Sequence, residues 1–95
     1  MPASQTIIAT TDGSRLIKRL LTHWGHRFEV SFDAEHGHVP FDADTRADFG
    51  AGPEALTVRI QAPDREHLER MQQVVAEHLQ RMARGETLQI DWQTA

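Results

Sequence analysis

Ala55-Leu-Thr-Val-Arg-Ile-Gln-Ala-Pro-Asp-Arg-Glu-His-Leu68 changes its hydrophobic period halfway along. In its first half Leu56, Val58 and Ile60 alternate with Thr57, Arg59 and Gln61, the period of two that gives a strand one apolar face and one wet face. From Leu68 onward the apolar residues Leu68, Met71, Val75, Leu79 and Met82 recur at helical spacing and form one stripe. Asp64 stands where a helix N-cap is needed, since its carboxylate can accept from the free amides of the first turn, and Glu66 suits the positive end of the helix dipole. Glu66 with Arg70, and Glu77 with Arg81, are acid-before-base pairs four residues apart on the solvated side. Gly85 is expected to close the helix. A one-faced strand running straight into an amphipathic helix predicts a sheet wet on one side and covered by helix on the other.

The same two signals repeat on either side. Gln5 to Thr10 is rich in β-favouring residues and stops at Thr11-Asp12-Gly13. Leu16, Ile17, Leu20, Leu21 and Trp24 then gather on one side of a helix, opposite Arg15, Lys18, Arg19 and Thr22, and Gly25 is placed for a left-handed cap. Phe28, Val30 and Phe32 alternate with Glu29 and Ser31, which predicts a strand. Asp33 to Gly37 reads as a turn, and Val39 with Phe41 as a second arm. Pro40 has no N–H for a ladder, so that arm should be short or at an edge. Ala47 and Phe49 alternate more weakly before the Gly50-Ala-Gly-Pro53 loop, and Leu88, Ile90 and Trp92 alternate with Gln89 and Asp91 as a last strand. The order β-α-β-β-(β)-β-α-β predicts one α+β domain over residues 1–95. Its expected form is a two-layer sandwich, with a mostly antiparallel sheet of five or six strands carrying both helices on one face.

Composition narrows the function classes. The chain has 95 residues, 39% of them hydrophobic and 25% charged, as in ordinary globular proteins. Its net charge of −4 supplies no basic field for phosphates, so nucleic acid is not an expected partner. The absence of cysteine excludes disulfides, thiolate catalysis and cysteine-ligated metals. No apolar run has the length of a signal peptide or a membrane span, and the cytoplasm is the expected location, with no membrane partner.

The chemistry-bearing candidates are histidines. Of six, His23 lies at the edge of the first apolar stripe in its last turn, and His26 follows just beyond Gly25. His78 falls beside the stripe of the long helix, next to Leu79 and one turn from Val74. If both helices lean on one sheet face, the three can converge, and neutral imidazoles bind zinc, iron or copper. The same placements also suit structural roles, capping carbonyls at a helix end or packing in a stripe. His36 and His38, two apart, would share one strand face or sit in a solvated turn, and His67 reads as boundary packing. The serines Ser4, Ser14 and Ser31 have no sequence-local activator, Asp42, Asp44 and Asp48 lack EF-hand spacing, and Glu29 and Asp91 read as solvated. Trp24 and Trp92 are expected packing anchors, whereas Phe41 and Phe49 lie where an apolar pocket could open.

His23-Trp24-Gly25-His26-Arg27, Ala62-Pro63-Asp64, His78-Leu79-Gln80-Arg81-Met82 and the closing Trp92 together resemble the bacterial domain-of-unknown-function family 2218, over nearly the whole chain. That family carries a His-aromatic-x-His-basic motif, a His-Leu-x-Arg-aromatic motif and a final tryptophan. Two positions depart from it: Met82 stands where the family tends to have phenylalanine, and Arg27 where it tends to have lysine. The resemblance implies a setting in bacterial iron acquisition, with a siderophore-interacting reductase as partner. The expected function is therefore a non-enzymatic binding or accessory domain in iron or siderophore handling, taking a metal ion or small molecule at His23, His26 and His78. One alternative is a small hydrolase or isomerase with one of these histidines as general base, oriented by Glu29 or an aspartate. Another is an interaction module that forms a homodimer through a strand edge such as the one bearing Pro40.

Overall fold

The computed structural model describes residues 1–95. Its elements are β1 (Ala3–Ala9), α1 (Gly13–Trp24), β2 (Ser31–Phe32), β3 (His36–Pro40), β4 (Arg46–Ala51), β5 (Ala55–Gln61), α2 (Arg65–Met82) and β6 (Gln93–Thr94). The six strands form one antiparallel sheet in the order β2-β3-β4-β5-β1-β6. Alternation decides which side is covered. Ile8, Val39, Ala47, Phe49, Leu56, Val58 and Ile60 are buried, while Arg46, Asp48, Thr57 and Arg59, pointing the other way, are exposed. Leu16, Ile17, Leu20, Leu21 and Trp24 of α1 and Leu68, Val75 and Leu79 of α2 close the same core. The architecture is the expected α+β one, with both helices on one face.

The helices run antiparallel across that face, since His23 near the end of α1 meets His78 while Arg19, one turn earlier, donates from Nη1 to the Met82 carbonyl at 3.1 Å. On the sheet side, Gln72 of α2 donates to Ser4 Oγ of β1 at 2.8 Å. Asp64 caps α2 as expected, accepting from the His67 N–H at 2.8 Å, and Glu66 meets Arg70 at 3.6 Å. Glu77 and Arg81 do not pair.

Two expected strands are shorter than their alternation. Phe28 and Val30 are half-buried at the rim, Phe32 is 42% exposed, and only Ser31 and Phe32 join the ladder. Pro40 supplies the reason. Phe41 N–H donates to the Thr45 carbonyl, so the neighbouring residue 40 turns its nitrogen toward β2, where a longer β2 would need a donor that proline lacks. Pro40 thus lies at the end of an internal strand. Instead of starting a strand, Arg27 and Phe28 continue the α1 turn, both donating to the Trp24 carbonyl at 2.9 Å. Gly25 is accordingly right-handed, with φ −61° and ψ −15°, and not the left-handed cap expected of it. At the other end Leu88 is buried and Ile90 and Trp92 pack on the core as extended chain, but ladder pairing with β1 begins only at Gln93. The one left-handed residue is Gly85, φ 79°, two positions beyond the cap of α2 at Ala83. Phe49 is buried in the core and touches a shallow surface cavity beside β2 and β3, while Phe41 packs edge-on against Trp24 and Phe28 at ring separations of 5.0 and 5.1 Å.

Candidate histidine site

His78 is held by its own helix. Its Nδ1 lies 2.7 Å from the Val74 carbonyl oxygen one turn back. A carbonyl can only accept, so Nδ1 carries the proton and the neutral ring keeps Nε2 as its free lone pair. That arrangement fixes both tautomer and ring orientation, as the outer partner of a ligating histidine does. Below the ring lies buried Trp24, whose centroid is 5.3 Å away at 40°. Beside it, across the seam between the helices, is the His23 ring at 5.9 Å and 41°.

The structure therefore brings His23 and His78 together and leaves His26 outside the pair. His26 is exposed in the turn after α1, and its backbone N–H reaches the His23 carbonyl at 3.4 Å. No three His, Cys, Asp or Glu side chains are grouped so that they could hold a metal ion, either here or in the Asp42, Asp44, Asp48 segment. What the seam offers is a two-nitrogen site. Two imidazoles sharing one ion through bonds of about 2.0–2.1 Å hold their centroids no more than roughly 6 Å apart. The observed spacing is at the wide end, and the exposed His23 side chain is the one free to close it.

The histidines that do meet carboxylates are the other three. His67 Nδ1 lies 2.8 Å from Asp64 Oδ1, so it completes the cap of α2 and does not pack at a boundary. His36 Nδ1 stands 3.7 Å from Asp33 Oδ1, and His38 Nδ1 only 2.6 Å from Asp48 Oδ1. Both belong to β3, on its solvent face, and not to a turn. Alternation at i, i+2 carried that signal, but the cross-strand partner Asp48 could come only from register. None of His23, His26 and His78 has a carboxylate to orient it, and Glu29 is exposed and unpaired.

Three aspartates are held in their ionised form by backbone amides, and their carboxyls lie below the ordinary value of 3.8. Asp33 accepts chiefly from the Glu35 N–H, Asp42 from the Asp44 N–H, and Asp64 from the His67 N–H. These are turn and cap contacts that hold loops; they carry no chemistry of their own.

No helix is long and apolar enough to cross a membrane. No curated protein matches the chain. Among solved structures it is similar to the NMR structure of PA4090 from Pseudomonas aeruginosa, at 41% identity and a TM-score of 0.82, over 98% of this chain and 96% of that one. The profile described as "Uncharacterized protein conserved in bacteria (DUF2218)" matches residues 5–93, and the chain belongs to that family.

Proposed function

We propose that the seam between the helices is a binding site without catalysis of its own, which takes one first-row transition-metal ion or a small chelate of it. His23 and His78 are its protein ligands, and water or the chelate's own donors fill the remaining positions. The observation that carries this reading is the Val74 carbonyl holding His78 Nδ1, which leaves Nε2 as acceptor beside the His23 ring. Imidazole suits zinc, copper, nickel and iron alike. The iron-acquisition setting implied by the family resemblance makes ferrous iron the first ion to test, and a siderophore-interacting reductase the first protein partner. Strand-edge dimerisation has less support, because both outermost strands are two residues long and offer little ladder to a second copy.

The test is titration of tag-free protein with Fe²⁺ under anaerobic conditions, and with Zn²⁺ and Cu²⁺. The expected result is one ion per chain, weakened on the order of 10- to 100-fold in His23→Ala and in His78→Ala, with His26→Ala close to wild type. No bound ion, or an affinity that both substitutions leave unchanged, overturns the reading.

A further inference from the structure

The solvent face of the sheet carries a second constellation, unconnected to the helix seam. Ladder register sets Ser31 of β2, His38 of β3 and Asp48 of β4 side by side in one row across three strands. Directly opposed side chains on one face of a sheet have Cβ atoms about 4.5–5.5 Å apart. His38 Nδ1 meets Asp48 Oδ1 at 2.6 Å, a short hydrogen bond from a ring N–H to a carboxylate. Asp48's other neighbour in the row is Arg59 of β5, which does not come within ion-pair distance, so the carboxylate's short contact is with His38 alone. With Nδ1 engaged by Asp48 of β4, Nε2 is the ring nitrogen left free, and Ser31 is the ladder neighbour of His38 on the side opposite β4. Ser31 Oγ makes no hydrogen bond within the protein, to His38 or to any other residue, so the hydroxyl is free to turn toward the imidazole when substrate binds. The three residues line a surface cavity of about 390 Å³, walled by Phe32 and bordered by His36.

We propose that Ser31, His38 and Asp48 form an acyl-transfer site for small esters. A nucleophile, a base within reach of it and a group orienting the base are the parts such chemistry needs, whatever fold carries them. Ser31 Oγ attacks the ester carbonyl carbon while its proton passes to His38 Nε2. The tetrahedral intermediate then expels the alkoxide, which leaves as the alcohol with that proton, and Ser31 remains acylated. Water, deprotonated by the same imidazole, attacks the acyl carbon, releases the carboxylic acid and returns the proton to Ser31. Asp48 is a positioning residue that holds the Nδ1–H tautomer. His36, two residues along the same face, is placed to donate a hydrogen bond to the developing oxyanion. Phe32, 42% exposed at the cavity wall, favours an acyl or leaving group with an aromatic or short apolar surface. The site is open to water on one side, so its rate should be modest.

The experiment uses p-nitrophenyl acetate with the full chain, following nitrophenolate release and mapping the acetyl adduct by peptide mass spectrometry. The expected result is a burst stoichiometric with protein and an adduct on Ser31. Ser31→Ala removes both, and His38→Ala slows acylation by about 10²-fold or more. Asp48→Asn slows it and changes its pH profile, which a purely structural role would leave alone. His23→Ala and His78→Ala leave the burst intact, so failure here is separable from failure of metal binding. Ser31 and Asp48 are exposed and His38 is half-buried, and circular dichroism is to be used to check that each variant is folded. An adduct confined to lysines or the amino terminus, or Ser31 labelling at the same rate in His38→Ala, overturns the proposal.

Discussion

A Cβ built on Gly37 would fall 2.6 Å from Leu21 Cδ2 and 3.1 Å from Ile17 Cγ2, so α1 rests directly on the backbone of β3. Leu21 and Ile17 are fully buried and have nowhere to retreat. This contact sets how close α1 lies to the sheet, and with it the height of Trp24 and His23 above the core.

Gly37→Ala should therefore destabilise the fold by about 1–3 kcal/mol through overpacking. Gly50 in the neighbouring strand has nothing within 4 Å of its Cβ position, and Gly50→Ala should be neutral or stabilising by a few tenths of a kcal/mol up to about 1. Urea midpoints of the two variants check the contrast; equal effects would mean that the close approach does not matter.

Leu79 has no exposed surface, whereas Ile90 packs at the rim of the same core. Leu79→Ala should cost about 2–5 kcal/mol, a large share of a total near 5–15, and Ile90→Ala distinctly less. Denaturant unfolding followed by circular dichroism gives both values.

Much of this was legible in the sequence. The switch of period between Ile60 and Leu68 placed β5 and α2 together with the Asp64 cap, and the stripes of α1 and α2 told which faces are buried. The ends of β2 and β6 were not legible, because they depend on partners distant in sequence. Phe28–Phe32 alternates properly, yet Pro40 across from it withholds the donor, and Leu88–Trp92 packs by side chain without a ladder. The meeting of His23 with His78 followed from both helices sharing a face. The row Ser31, His38, Asp48 did not, since two hairpin registers had to be known first.

Thr6 Oγ1 is buried without a hydrogen-bond partner. Replacing it by the isosteric valine removes an unsatisfied polar group, so Thr6→Val should raise stability by about 1 kcal/mol or more. A lower urea midpoint would show that a water or an alternative rotamer satisfies the hydroxyl.

Asp33, Asp42 and Asp64 have folded-state values below 3.8, which is the sense that favours folding when they are ionised. Their contribution is complete above that ordinary value and is lost as pH falls below it through the lowered ones. Stability should hold through neutral pH and decline below about pH 4. Asp64→Asn, which keeps a cap acceptor but cannot titrate, should show a shallower decline in urea midpoints taken across that window. An identical slope would remove Asp64 from the account.

Trp24 lies 5.3 Å from His78, and Trp92 is the only other tryptophan. In a Trp92→Phe background, Cu²⁺ bound at the seam should quench the remaining emission, and His78→Ala should abolish the effect.

The most direct measurement is the histidine side-chain ¹H–¹⁵N correlation spectrum during a Zn²⁺ titration. The account predicts that His23 and His78 nitrogens shift together, saturating at one ion per chain, with His78 Nε2 as the ligating atom and His26, His36, His38 and His67 unmoved. Shifts confined to those four surface rings, with His23 and His78 unchanged, would contradict it.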